Sequence, residues 1–245
     1  MSSEYQVTKR KHFWIIPILA IAVLMIAFLI YAEIYYQADQ TALDALKSDA
    51  AVTVTETDYG WFFDGPSDSD ALVFYPGGKV EETAYAPLLH SLADKGMDVC
   101  LVRMPFRLAV FGANKADGVM EQYSYENWYI GGHSLGGAMA ANYAADHSDQ
   151  LKGLIMFAAY PTKELNNLQV LSIYGSEDGV LNREKYADGK TFFPEQTAEY
   201  VIEGGNHAQF GNYGEQSGDG TAAISAEKQQ ELTVDYIIKN TVGMR

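Results

Sequence analysis

The stretch NWYIGGHSLGGAMAANYAAD, residues 127–146, decides how this chain folds. It opens on an apolar run, Asn127 to Gly131, that reads as a buried strand, and it closes on a helix from Leu135 to Asp146. Between them stands Gly132-His133-Ser134-Leu135-Gly136, a G-x-S-x-G motif that occurs once in the chain. Glycines flank the serine because the strand-to-helix turn is sharp, and a Cβ at either position would meet the neighbouring strand or helix. Gly136, Gly137, Ala138, Ala140, Ala141 and Ala144 keep the helix narrow enough to lie close on a sheet. The motif predicts a serine hydroxyl, that of Ser134, raised on a strained turn as a nucleophile.

Working outward, strands alternate with helices. Upstream the sequence predicts strands at Val52 to Thr57, Trp61 to Phe63, Ala71 to Tyr75 and Asp98 to Met104, with a helix from Val80 to Lys95 that Gly96 stops. Phe106 to Tyr123 reads as partly helical. Downstream come strands at Leu151 to Tyr160, Val170 to Tyr174 and Tyr200 to Glu203, a short helix at Arg183 to Ala187, and a final amphipathic helix from Ala226 to Asn240. This alternation predicts an α/β class with a mostly parallel central sheet and helices on both faces. Pro161 to Leu168 is too short to build a substantial lid, so the site is expected to be open and shallow.

A serine hydroxyl is a weak nucleophile until a base takes its proton. Of the five histidines, His12 precedes the membrane segment, His90 lies on a helix before the turn, His133 belongs to the turn, and His147 ends the helix that follows. His207 comes late, in Gly204-Gly205-Asn206-His207, just after the last strand, and is the candidate base. The carboxylate that orients it should sit at the end of an earlier strand. Val170 to Tyr174 is followed by Gly175-Ser176-Glu177-Asp178-Gly179, which offers Asp178, preferred over Glu177.

The order Ser134, Asp178, His207 resembles the α/β-hydrolase fold, and the resemblance covers about residues 52–245. Tyr75-Pro76-Gly77-Gly78-Lys79, Gly132-His133-Ser134-Leu135-Gly136-Gly137 and the run from Gly204 to Gly214 look like a compact bacterial group of lidless, often membrane-anchored hydrolases. The resemblance implies acyl transfer through Ser134, His207 and Asp178. It also implies an oxyanion hole built from the backbone N–H of Leu135 and one from the loop after the strand ending at Tyr75. Gly78 is the expected donor there. Gly77 or Lys79 could take its place, because Pro76 stands where histidine is common in that loop.

The chemistry so implied is hydrolysis of a carboxylic ester or related acyl bond in a small or envelope-derived substrate. An acyltransferase using the same triad, or a binding module that retains the fold, are the alternatives. No metal or cofactor is expected, since H-E-x-x-H, the phosphate-binding G-x-x-x-x-G-K-[ST] and a G-x-G-x-x-G after a strand are all missing. Arg103 and Arg107 follow a strand end and could meet an acidic substrate, although paired or solvated arginines are the commoner case.

Phe13 to Ala32 is a run of twenty uncharged residues, long enough as a helix to span a bilayer core of about 30 Å. A cleaved signal has a shorter apolar core, so residues 13–32 are expected to be an uncleaved transmembrane anchor. Lys9, Arg10 and Lys11 precede it directly, which keeps residues 1–12 in the cytoplasm and sends the rest of the chain outside the cell membrane. Residues 33–51, free of Gly and Pro, read as a helical stalk, and residues 52–245 as the folded domain. The net charge of −15, from 17 basic and 32 acidic residues, argues against nucleic acid as a partner. With Cys100 alone the chain forms no internal disulfide, so packing must hold the domain together.

Overall fold

The structure, a computed structural model, describes residues 14–242 of the 245. Lys9, Arg10, Lys11, the first residue of the expected membrane span (Phe13) and the C-terminal Arg245 lie outside the described residues. The chain divides into two units between Tyr35 and Tyr36. In the first, α1 (Ile15–Glu33) is a helix of 19 residues, long and apolar enough to cross a membrane by length and composition. Pro17 falls in its first turn, where a missing N–H leaves no helical bond unmade.

The helical stalk expected over residues 33–51 does not form. Ile34, at φ −91° and ψ 99°, is extended and ends the helix. Tyr36 then joins the folded unit: its N–H donates to Lys79 O at 2.8 Å, and its carbonyl accepts from Glu81 N–H at 2.9 Å. Asp39 turns the chain back into a short helix, α2 (Gln40–Asp44), by capping the Ala42 N–H at 2.9 Å. The short side chain of Asp competes with a continuing helix for these backbone donors, which helix propensity summed over the segment cannot register.

The sheet of the second unit has eight strands in the order β1-β2-β4-β3-β5-β6-β7-β8. They are β1 (Thr53–Thr57), β2 (Gly60–Asp64), β3 (Asp70–Tyr75), β4 (Asp98–Val102), β5 (Asn127–His133), β6 (Gly153–Phe157), β7 (Gln169–Gly175) and β8 (Ala198–Ile202). β2 is antiparallel to both β1 and β4, and every other neighbouring pair is parallel. The parallel strands therefore end together along one edge, where the loops after β3, β4, β5, β7 and β8 gather.

Alternation along the strands sends side chains to two cores. Leu72 and Phe74 of β3, with Phe157 of β6, pack against Leu88, Leu89 and Leu92 of α3 (Ala86–Asp94) and Val234 and Ile237 of α7 (Ala226–Asn240). On the other face Val73 and Tyr75, Leu154 and Met156 meet Ala140, Ala141 and Ala144 of α5 (Leu135–Asp146). Each fully buried leucine contributes about 1.5–3 kcal/mol relative to exposure. Two smaller helices, α4 (Lys115–Met120) and α6 (Arg183–Gly189), lie in the crossovers.

The helix expected from Val80 begins instead at Ala86, with Pro87 in its first turn. Val80 is held in a parallel bridge to Tyr36, and Glu82–Tyr85 forms a 3-10 turn. Backbone bonds with the incoming chain thus hold residues 80 and 81 out of the helix.

Candidate active site

Ser134 joins β5 to α5 with φ 53° and ψ −120°, a conformation that side chains rarely adopt. Its N–H donates to Phe157 O at 2.9 Å, and its carbonyl accepts from Ala138 N–H at 3.0 Å, so both neighbouring elements fix the turn. A Cβ on Gly136 would overlap the backbone oxygens of Tyr75 and Pro76. One on Gly132 would stand 2.5 Å from Tyr75 O and 2.8 Å from Gly136 C. The helix lies so close to β3 that only glycine fits at both places. Ser134 is half-buried, and its hydroxyl caps no backbone group of its own helix.

His207 follows β8, and its Nδ1 lies 2.9 Å from Asp178 Oδ2, with both side chains 1% exposed or less. A carboxylate only accepts, so Nδ1 carries the proton of this bond. Nε2 is buried and has no hydrogen-bond partner among the described residues. Asp178 is aimed by its own backbone: Oδ1 accepts from Val180 N–H at 2.9 Å and Leu181 N–H at 2.8 Å, which turns Oδ2 toward the ring. Glu177, the other acid considered, is exposed and accepts from the Ser176 hydroxyl at 3.0 Å. Gln229 of α7 holds the loop that carries His207, accepting from Asn206 N–H at 2.9 Å and donating to Asn206 O at 2.8 Å.

The loop after β3 separates the three candidate oxyanion donors. Gly77 N–H donates to Tyr85 Oη at 3.0 Å and Lys79 N–H to Arg107 O at 2.8 Å. Gly78 N–H alone of the three has no acceptor among the described residues. A Cβ built on Gly78 would stand 2.9 Å from Leu135 Cδ2, so these two residues are neighbours across the site.

Two participants were not legible in the sequence. Tyr85 Oη accepts from Gly77 N–H, so its own proton goes to His133 Nδ1, 2.8 Å away. Burial raises the Tyr85 phenol above its ordinary range and keeps it protonated. Burial, and next the charge of His207, hold His133 well below the usual imidazole range, so its ring is neutral. That ring stands 4.4 Å, centroid to centroid, from the ring of His207. A tyrosine on a 3-10 turn carries no pattern that marks it. His133 was visible only as a residue of the turn.

Arg103 is paired, with Nε 2.6 Å from Glu82 and a terminal nitrogen 2.8 Å from Glu56. With Arg107 and Phe106 it borders a cavity of about 280 Å³ that Glu81 and Glu82 also line. The segment between β6 and β7 carries no helix or strand. Among the described residues, no three His, Cys, Asp or Glu side chains gather in a way that could hold a metal ion.

A model described as "Alpha/beta hydrolase family" matches residues 71–231. Among solved structures, Est1E from Butyrivibrio proteoclasticus is 13% identical with a TM-score of 0.57, over 79% of this chain and 100% of that one. Carboxylesterase CesB from Bacillus subtilis is 10% identical with a TM-score of 0.56, over 83% and 95%. Naproxen esterase from Bacillus subtilis is 12% identical with a TM-score of 0.56, over 82% and 94%. At these identities the likeness speaks for the fold alone. No curated protein matches the chain in sequence.

Proposed function

This chain belongs to the alpha/beta hydrolase family, and from that premise we propose that it is a serine hydrolase cleaving a carboxylic ester or related acyl bond. We further propose that α1 anchors it in the cell membrane with the second unit outside the cytoplasm. The observation that carries the catalytic reading is the buried contact of 2.9 Å between Asp178 Oδ2 and His207 Nδ1. It leaves Nε2 as the ring nitrogen not committed to Asp178, and the neighbouring ring belongs to His133, the residue before Ser134.

Ser134 Oγ attacks the carbonyl carbon while His207 Nε2 takes the hydroxyl proton. Asp178 holds the ring in the required tautomer and stabilises the imidazolium that forms. The developing oxyanion is received by the N–H groups of Leu135 and Gly78, and one such donor contributes about 10²–10³ in rate. The bond from carbon to the leaving oxygen breaks, His207 returns the proton to the departing alcohol, and the acyl group remains on Ser134. Water repeats the attack, His207 takes its proton, and the carboxylic acid leaves with Ser134 restored. Esterase neighbours of the same fold support an ester as the substrate.

A fluorescent fluorophosphonate tests the reading directly. Wild-type protein should be labelled, and Ser134→Ala and His207→Ala should not; label persisting on folded Ser134→Ala would overturn the assignment. Protease added to intact cells should digest the second unit, and full protection would overturn the orientation.

A further inference from the structure

Asp219 lies in the loop before α7 and touches neither the His207 ring nor the Asp178 carboxylate through any hydrogen bond. Its Oδ1 accepts from Gly179 N–H at 3.1 Å, His207 N–H at 3.2 Å and Gly220 N–H at 2.8 Å, and its Oδ2 from Ala208 N–H at 2.8 Å. Four N–H groups donate to it, three to Oδ1 and one to Oδ2, so Oδ1 is fully used. What is unusual is where the donors come from. Gly179 directly follows Asp178, His207 is the base itself, and Ala208 directly follows it.

The loops are packed backbone to backbone. A Cβ on Gly179 would lie 2.7 Å from Gly218 O and 2.8 Å from Gly220 N, and one on Gly220 would overlap Glu177 O. Apart from Asp219, the acid and base loops are joined by Ser176 N–H to Ile202 O at 3.0 Å, Glu177 N–H to Gly205 O at 2.8 Å and Gly204 N–H to Ser176 Oγ at 2.9 Å, besides the Asp178–His207 contact itself. These three bonds lie upstream of the two reacting side chains. Asp219 is the group that ties the backbones at Asp178 and His207 to each other.

We infer that Asp219 is a positioning residue of the Asp178–His207 pair, a carboxylate that fixes the backbone of the base against the backbone of the acid. The inference rests on the catalytic reading above and adds a residue to it. Charge-assisted bonds to backbone N–H groups are shorter and stronger than neutral ones, which suits a clamp between two loops. A carboxylate is also the one small side chain that accepts four N–H bonds without offering a donor. Asn at this position would turn an amide N–H₂ toward either Ala208 N–H or the other three donors, so it can serve only part of the set.

The test uses the full chain with Asp219→Ala and Asp219→Asn, read by hydrolysis of p-nitrophenyl acetate and by the far-downfield proton resonance of His207 Nδ1–H. Displacing a catalytic group by about 1 Å lowers the rate about 10²-fold. Asp219→Ala should therefore lose about 10²-fold in kcat with KM nearly unchanged, and its downfield resonance should shift or broaden. Asp219→Asn, which retains one acceptor oxygen, should fall between wild type and Ala in both readouts and serves alone if the alanine variant does not fold. Wild-type kcat together with a wild-type resonance in either folded variant would overturn the inference. Wild-type protein that neither hydrolyses the ester nor takes the fluorophosphonate would instead remove the catalytic reading. The resonance would still report whether Asp219 holds the pair.

Discussion

Tyr85→Phe removes one oxygen atom from the centre of the site and nothing else. The ring keeps its neighbours, Phe74 at 5.1 Å, His133 at 5.7 Å and Tyr213 at 6.4 Å between centroids, so packing is conserved and the hydroxyl is isolated. Two buried groups lose their partner at once: Gly77 N–H, held at 3.0 Å, and His133 Nδ1, held at 2.8 Å. A buried polar group left unsatisfied costs about 1–3 kcal/mol. Taking the lower half of that range for each, because Nδ1 can change tautomer, gives about 2–4 kcal/mol in all. For a chain of this size that corresponds to a fall of about 4–16 °C in Tm. Scanning calorimetry of wild type and variant under one set of conditions measures it. The same change frees Gly77, and with it the turn that presents Gly78, so fluorophosphonate labelling of Ser134 should slow by about tenfold even where the variant is fully folded. A Tm within about 1 °C of wild type with unchanged labelling would refute the shared hydroxyl.

Two further expectations test the packing and the charges. Burial pushes the Asp98 carboxyl up to about 6, although Tyr125 Oη–H at 2.6 Å and Gly65 N–H at 2.8 Å donate to it. Its folded value exceeds the unfolded one, so the folded state takes up the proton first and this group's contribution to stability rises as pH falls from about 6 to about 4. Urea unfolding at several pH values should show that slope in wild type and lose it in Asp98→Asn; parallel curves would contradict the assignment. Gly136→Ala drives a Cβ into the backbone oxygens of Tyr75 and Pro76 and should destabilise by more than about 4 kcal/mol, whereas Gly118→Ala, with nothing within 4 Å, should stabilise α4 by about 0.5–1 kcal/mol. Denaturant midpoints of the two variants compare them, and equal effects would sink the argument.

The parts of the fold that were legible are those in which local pattern and tertiary demand coincide. The helices Leu135–Asp146 and Ala226–Asn240 have the boundaries their sequences suggest, because each begins at a residue that cannot sit inside a helix. Ser134 is excluded by its positive φ, and Ser225 caps the Lys228 N–H with its hydroxyl. The start of α3 was missed because what stops it, the bridge from Val80 to Tyr36, joins residues 44 apart in sequence. A continuous stalk is broken partly by the same bridge and partly by the Asp39 cap. Asp178 and Glu177 stand side by side in the sequence but differ in what they can reach. Only the shorter side chain can accept from the N–H groups two and three residues ahead while turning its second oxygen to His207. Tyr85 and Asp219 left no trace, since most of their partners, Gly77 N–H and His133 Nδ1 for the one and Gly179, His207 and Ala208 N–H for the other, are brought near by other elements.

The distribution of backbone strain separates the two edges of the sheet. Among the described residues, six that are not glycine have positive φ: Lys79, Phe106, Arg107, Ser134, Ala158 and Asn167. Five of them stand at or shortly after the carboxyl ends of β3, β4, β5 and β6. Such conformations cost about 1–3 kcal/mol each and persist only where the surroundings over-determine them. Here the surroundings can be named. Lys79 N–H is bonded to Arg107 O, so the strained residues of two loops hold each other, while Ala158 N–H donates to Ile173 O at 2.8 Å beside the bond from Ser134 N–H to Phe157 O. If loops were strained merely for want of selection, the amino edge would carry its share. Instead the strain is concentrated on the edge that carries Ser134, Gly78, Asp178 and His207. The apolar cores on both faces supply the stability that offsets it.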